Sequence, residues 1–304
     1  MSEIALLLAT YNGSLFVDSF LDSILNQSFC PTIFVRDDGS CDSTVDLLMR
    51  RGGEINFVND HFGNVGILEN FNILASMSSV DYYAFADQDD IWEADKLALQ
   101  MDLMLRMEKQ YGVDMPILVH SDLAVCDSSL RVVDTSLWRF QRLNPYVQNF
   151  SRLVVQNNIT GCTLLINKAL KDLAFPVPHA AVMHDWWLAL VASAIGKIGF
   201  IPRPLVRYRQ HGANQLGAVR SDLRGAIKRL KNINPRRSLR ASQRQALAFC
   251  KFFASRLDMA DALQLAKIYA SIHTQPYTLR LLSLYKYGFW MQDWIRNVGL
   301  TLFI

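Results

Sequence analysis

The chain has 304 residues, 51% of them apolar, which excludes a disordered or low-complexity protein and suffices for one large domain or one domain with a helical appendage. Its net charge of +3 hides a division of sign: residues 220 to 251 hold ten Lys and Arg against the single acid Asp222, leaving 21 basic and 27 acidic side chains elsewhere. No run reaches the ~18 apolar residues of a membrane span, no signal-peptide layout is seen, and five cysteines without a CxxC pair argue against a zinc ribbon or a disulfide framework, so a cytoplasmic, non-spanning protein is expected.

Ile4 to Ala9 is a continuous apolar run, as expected of a central parallel strand buried on both faces. Thr10-Tyr11-Asn12-Gly13 breaks it, and Val17, Phe20, Leu21, Ile24 and Leu25 then fall at helical spacing up to Gln27. Thr32 to Arg36 reads as a second strand, Asp37-Asp38-Gly39-Ser40 as a turn, and Ser43 to Arg50 as a helix packing Val45, Leu48 and Met49. A short strand at Ile55 to Val58, the turn Gly63-Asn64-Val65-Gly66 and a helix using Ile67, Phe71 and Leu74 follow. This alternation predicts an α/β fold with a mostly parallel sheet between helices.

Asp81-Tyr82-Tyr83-Ala84 reads as a buried strand that delivers Phe85-Ala86-Asp87-Gln88-Asp89-Asp90 where it leaves the sheet, the place where open α/β sheets bind ligands. Three acids in four positions repel one another unless a cation or a set of donors lies between them. The plain alternative is a solvated acidic turn capping the next helix, which begins near Glu93 and buries Leu97, Met101 and Met104. Neither a dinucleotide fingerprint nor a GxxxxGK[ST] loop is present, so a bound phosphate would have to be held by acids bridged through a metal.

Farther on, two strands are expected around His120-Ser121-Asp122, an irregular polar stretch over residues 134 to 158 that suits a loop closing over a ligand, and a strand from Thr160 to Ile166. His184-Asp185-Trp186-Trp187 opens a helix using Leu188, Val191, Ala192 and Ile195, with Asp185 in its first turn. Asp185 is then either an ordinary helix N-terminal charge or a reactive carboxylate, and the tryptophans either core or a stacking floor for a sugar. Ile198 to Ile201 and Leu205-Val206 are the last strands, before Arg207-Tyr208-Arg209-Gln210-His211-Gly212.

Taken in order, Thr10-Tyr11-Asn12-Gly13, Asp37-Asp38-Gly39-Ser40, Asn64-Val65-Gly66, Asp87-Gln88-Asp89-Asp90, His184-Asp185 and Arg209-Gln210-His211-Gly212 resemble the inverting family 2 of bacterial glycosyltransferases. The acidic turn and the Arg-Gln-His-Gly ending resemble the rhamnosyltransferase-like members that build O-antigen and capsular polysaccharides. The resemblance spans residues 4 to about 217 and implies the GT-A (nucleotide-diphospho-sugar transferase) fold as a catalytic domain over 1–217, with residues 218–304 a helical extension. It implies that Tyr11 stacks on the donor's pyrimidine beside Thr10, that Asp38 accepts from the base, and that Asn12 and Gly66 lie in the same nucleotide site. Asp87 would contact ribose or the metal shell, Asp89 would ligate Mg2+ or Mn2+, and His211 would reach back to the metal or diphosphate. Arg209 would offset diphosphate charge or pair with an acid. Asp185 matches the general base. The QxxRW motif of processive synthases is absent, so the resemblance implies a single addition.

That chemistry needs a cation for the leaving diphosphate and a separate carboxylate for the attacking hydroxyl. The alternatives are a nucleotidyltransferase, which would show a basic phosphate loop after the first strand, and a non-catalytic sugar-nucleotide-binding protein. After Arg220, Leu223, Ile227 and Leu230 oppose Arg224, Lys228, Arg229 and Lys231 before Asn234-Pro235 ends the helix. Arg236, Arg237, Arg240 and Arg244, a longer helix packing Phe249, Phe253, Leu257 and Leu263, and an aromatic segment from Tyr277 to Ile304 complete the chain. Such a basic, aromatic region suits an anionic membrane surface rather than nucleic acid, and places the protein at the inner face of the cell membrane, where a polyprenyl-diphosphate-linked glycan would be the acceptor. The alternative is a solvated face packed on the catalytic domain.

Overall fold

The computed structural model describes residues 3–211 and 235–304. The basic helix expected around Leu223, Ile227 and Leu230, and Gly212 of the last motif, lie outside the described residues. The chain gathers into two compact units. One holds the described residues of Met1–Ser136, Thr160–Val177 and Lys197–Gly217, the other those of Leu137–Ile159, Pro178–Gly196 and Ala218–Ile304.

The first unit is built on a nine-stranded mixed sheet. Its strands are β1 (Ile4–Thr10), β2 (Thr32–Asp37), β3 (Asn56–Phe57), β4 (Tyr82–Asp87), β5 (Ile91–Trp92), β6 (Ile117–Cys126), β7 (Val132–Asp134), β8 (Leu165–Asn167) and β9 (Lys197–Arg209). They run in the order β3-β2-β1-β4-β8-β6-β9-β5, with β7 on β6. The first four are parallel, β8 is antiparallel to both β4 and β6, and β9 runs parallel to β6. Every residue of β1 and of β6 is buried, which accounts for the unbroken apolar run of β1, whereas β6 buries His120, Ser121 and Asp122 along with its apolar residues.

Helices α1 (Val17–Leu25), α2 (Thr44–Arg50), α3 (Ile67–Ser76) and α4 (Lys96–Tyr111) follow β1, β2, β3 and β5. Helix α1 buries Val17, Phe20, Leu21 and Ile24, one stripe of a 3.6-residue period. Leu25 and Met49, counted with the core from their spacing, are instead 41% and 53% exposed. Helix α4 starts at Lys96 rather than Glu93, because Ile91 and Trp92 are drawn into an antiparallel pair with Arg207 and Val206. The two strands expected around His120 are one strand, and so are the two expected between Ile198 and Val206. Register shifts near Asp122 let β6 and β9 stay paired over their length. The strand expected from Thr160 is shorter, Leu165–Asn167, and follows a 3-10 turn at Gly161–Thr163.

The second unit is helical. Residues 134 to 158 are less loop-like than expected, since they contain helices Leu137–Gln141 and Phe150–Leu153 with Leu137 and Trp138 buried. The C-terminal part holds helices Pro235–Phe252, Ala260–Ser271, Tyr277–Tyr287 and Trp294–Phe303. The single long helix through Phe249, Phe253, Leu257 and Leu263 is thus two helices, and Leu257 at the break is 91% exposed. The core of this unit is an aromatic cluster in which Trp187 stacks on Phe253 at 5.9 Å and meets Phe249 and Phe252 edge-on.

Candidate active site

The carboxyl ends of β1, β2 and β4 fall in line: Thr10 pairs with Asp37, and Ala9 with Asp87. The Thr10 hydroxyl, 1% exposed, donates to Asp37 Oδ2 at 2.8 Å. Asp37 also accepts from the Gly39 and Ser40 N–H groups at 3.1 and 2.7 Å and from the Ser40 hydroxyl at 2.6 Å, so its carboxylate is consumed in shaping the turn. Asn12 takes φ +49°, which asparagine tolerates. Its N–H donates to Ser40 Oγ and its Oδ1 accepts from the Cys41 N–H, at 2.7 and 2.8 Å. These bonds leave the Tyr11 side chain half exposed at the end of the sheet.

Asp38 is buried beside an equally buried arginine that sequence reading left inside a strand. The Arg36 guanidinium forms a two-point pair with Asp60 at 2.6 and 3.1 Å and donates to Asp38 Oδ1 at 2.9 Å. Hydrogen bonds from Arg36 hold the Asp60 carboxyl below its usual pKa. Asp38 Oδ1 and Oδ2 accept from the Val65 and Gly66 N–H groups at 2.8 and 2.9 Å, which ties the Asn64-Val65-Gly66 turn to β2. Gly66 sits at φ +83°, a conformation glycine adopts without a Cβ penalty, and leads directly into α3. With three donors already on Asp38, about one of the four carboxylate lone-pair positions is left for a base. A signal for Arg36 was present: a charge among apolar strand residues, two before an acid.

The acidic turn divides its charges. Asp90 is fully buried and accepts the Arg209 N–H at 3.2 Å. Burial foremost, then the charges of Asp89 and Asp87, pushes its carboxyl well above the ordinary range. Potential ligand atoms of Asp87, Asp90 and Cys162 lie within 4.8 Å of one another, the one such group among the described residues. Burial keeps the Cys162 thiol protonated, so that group suits a hard cation poorly. Behind it, buried Lys96 stands 3.3 Å over the Trp92 ring and donates to Gln100, and burial lowers its amine to about 7.

Asp89 faces another way. Its Oδ2 lies 2.7 Å from His211 Nε2, which brings a carboxylate oxygen and an imidazole nitrogen to one point. A carboxylate oxygen and an imidazole nitrogen are donor types that Mn2+ accepts, but among the described residues Asp87 does not join these two in a cluster of potential ligand atoms, lying instead with Asp90 and Cys162. Arg209 is largely committed to the protein: Nε donates to the Asp89 carbonyl at 2.8 Å and Nη1 to the Ser128 carbonyl at 3.0 Å. Its guanidinium also lies 4.8 Å from the centre of the Phe16 ring, against which His211 packs at 4.7 Å. Asp185, in the second unit, opens helix His184–Ile195 and accepts the Trp186 N–H at 2.5 Å. Trp187 is wholly buried, so of the two readings of that residue the core one holds.

Glycosyl transferase family 2 matches residues 6–174, and the chain belongs to that family. The dTDP-rhamnosyl transferase RfbG of Shigella flexneri is 28% identical over 230 residues, covering 69% of this chain and 74% of that protein. WfgD of Escherichia coli, a UDP-Glc:alpha-D-GlcNAc-diphosphoundecaprenol beta-1,3-glucosyltransferase, is 22% identical over 203 residues, 65% of this chain and 74% of that one. Among solved structures, the mannosyltransferase PcManGT of Pyrobaculum calidifontis with GDP-Man and Mn2+ gives a TM-score of 0.55 at 15% identity, over 98% of this chain and 86% of that one. TarS of S. aureus with UDP-GlcNAc gives 0.54 at 15% identity, over 98% and 90%. The GT-A fold expected from sequence is the fold these structures share, and the protein is a glycosyltransferase.

Asp38→Asn is expected to cost about 1–3 kcal/mol of stability, because Val65 and Gly66 each need a carboxylate oxygen and an amide offers one. Urea denaturation of the two proteins measures it, and an unchanged midpoint would show that Asp38 is not the anchor of that turn.

Proposed function

We propose that the protein is a metal-dependent, inverting glycosyltransferase that moves a single sugar from a nucleoside diphosphate to a hydroxyl of a lipid-linked cell-surface glycan. The observation that carries the proposal is the meeting of Asp89 and His211 at 2.7 Å beyond the end of β4. L-Rhamnose from dTDP-L-rhamnose is the donor favoured by the likeness to RfbG, and a UDP-sugar the other candidate. The printed function of WfgD, which names a diphosphoundecaprenol-linked sugar, supports a lipid-linked acceptor.

In this reading the exposed Tyr11 ring offers a stacking surface for the base, with Thr10, Asn12, Asp38 and Gly66 shaping the pocket around it. Asp89, His211 and Asp87 would hold Mg2+ or Mn2+, whose charge offsets that developing on the departing diphosphate. Arg209 contributes positive charge beside the same turn while fixing the Asp89 backbone. Asp185 accepts the proton of the attacking hydroxyl, and attack opposite the leaving group inverts the anomeric carbon. The catalytic domain is assigned to residues 1–217. A nucleotidyltransferase is disfavoured because Thr10-Tyr11-Asn12-Gly13 carries no Lys or Arg for a triphosphate.

No helix among the described residues is long and apolar enough to cross a membrane. Residues 218–304 are assigned a membrane-surface role at the inner face of the cell membrane, supported by exposed Arg236, Arg237, Arg240 and Arg244 on one helix and exposed Leu282, Tyr285 and Trp294 on others.

Asp185→Asn is expected to lower transfer about 10²–10⁴-fold while leaving nucleotide affinity unchanged, measured on a panel of nucleotide sugars with an acceptor lipid extract. Chelation with EDTA should abolish turnover and added Mn2+ restore it. Full transfer by Asp185→Asn would remove the base assignment, and turnover indifferent to EDTA would remove the metal. The intact chain should sediment with anionic vesicles at low salt and be released at high salt. A chain that ignores such vesicles would count against the surface role.

A further inference from the structure

Gln88 stands between the two acids of the turn and has no part in the chemistry just described. Its side chain is nonetheless fully used. Oε1 accepts the Tyr11 N–H at 3.0 Å and Nε2 donates to the Tyr11 carbonyl at 2.8 Å. The amide therefore meets both polar groups of one residue's backbone, as a neighbouring strand would. The pairing is also directional: with the amide turned over, donor would face donor and acceptor would face acceptor. The main-chain ladder between β1 and β4 ends at Ala9 and Asp87, and this side chain adds a contact to the same chain two residues beyond, at Tyr11.

Gly13 belongs to the same device. A Cβ built on Gly13 would lie 2.1 Å from Gln88 Oε1 and 2.2 Å from its Cδ, so any other residue there evicts the amide. Gly13 is not among the glycines with positive φ, so the need for it is one of space, set by a side chain 75 positions along the chain. The Gly13 N–H donates to Thr44 Oγ1 at 2.8 Å, which fixes the backbone from the other side and leaves the amide as the part that must move.

We infer that Gln88 is a positioning residue, one that fastens the strand end presenting Tyr11 to the turn presenting Asp87 and Asp89, with Gly13 the cavity that admits it. This rests on the proposed function, in which the two segments hold opposite ends of one nucleoside diphosphate: Tyr11 the base, and the acidic turn the diphosphate through its cation. A donor that bridges two loops binds tightly when their separation is already set, because freezing that separation on binding would be charged against affinity. Loss of the clamp therefore acts on donor binding first.

The test is a double-mutant cycle on the full chain, with Gln88→Ala, Gly13→Ala and the double variant. Calorimetry with UDP and with dTDP in Mn2+ reads binding, and thermal melting without ligand reads stability. Each single variant is expected to bind the nucleotide that wild type prefers about 10-fold more weakly. Gly13→Ala on the Gln88→Ala background should add less than about 2-fold, because the amide it would evict is already gone. Gln88→Glu, which can accept from the Tyr11 N–H but cannot donate to the carbonyl, should not rescue binding. Single variants with wild-type affinity, or effects that multiply in the double variant, would overturn the inference. So would affinity losses that track the ligand-free melting temperature rather than the amide. Wild-type protein that binds neither nucleotide would overturn the proposed function and the inference with it, an outcome separable from wild-type binding with indifferent variants.

Discussion

The parallel pairing of β1 with β2 on one side and β4 on the other fixes where the groups at the carboxyl ends of these strands can be. Side chains on strands alternate, so a slip of one residue would turn Thr10 or Asp87 to the opposite face. The interior of β1 cannot itself prevent such a slip: Ile4 to Ala9 is apolar on both faces and would pack nearly as well one position over. The register is instead specified at the polar end. The Asp38 N–H donates to the Thr10 carbonyl, the Thr10 hydroxyl to Asp37, and Gln88 pairs with Tyr11 from the other neighbour. Shifted pairing would leave these groups buried or half-buried without partners, at about 1–3 kcal/mol each. The residues that shape the site are thus also the ones that select the register of the sheet.

The same economy governs the acids. Three carboxylates in four positions suggest one cation relieving one cluster, yet the structure separates them. Asp90 turns into the core, where burial favours its neutral form and the Arg209 N–H meets one oxygen. Asp89 turns to His211, and Asp87 stays at the end of β4. Two of the three carboxylates, Asp87 and Asp89, therefore stay outside the fully buried position that Asp90 takes. Burial likewise lowers the Lys96 amine, to about 7, against the opposing pull of Asp90.

What was legible in the sequence were features that a short window contains. The apolar run before Thr10, the helical spacing from Val17 to Ile24 and the placing of the acidic turn at a strand end all appear in the structure. His211, which the resemblance sent toward a metal or diphosphate, lies beside Asp89, a pairing that no periodicity pointed to. Features that depend on distant partners were not legible. Ile91 and Trp92 become a strand because β9 lies alongside, and the helix from Pro235 stops at Phe252, with Phe253 beyond it stacked on Trp187. Leu25 and Met49 carry core residue types at positions that stay about half exposed. Arg36 reads as one polar residue in a strand until Asp60 and Asp38 are brought to it from 24 and two positions away. The use of Gln88 is invisible without the space over Gly13.

The two tryptophans after Asp185 show how an anchor far from chemistry can govern it. Trp187 is locked among Phe249, Phe252 and Phe253, and the Trp186 indole N–H donates to the Leu153 carbonyl at 2.6 Å, so the first turn of helix His184–Ile195 is held by its second and third side chains beyond the histidine. Large aromatic side chains in a packed core have few alternative rotamers, and a helix turn cannot shift without moving them. The backbone carrying Asp185 is held with them, and its carboxylate accepts the Trp186 N–H. In the proposed reaction a carboxylate carried on so fixed a turn would gain in orientation what it loses in reach, and the acceptor hydroxyl would have to be brought to it.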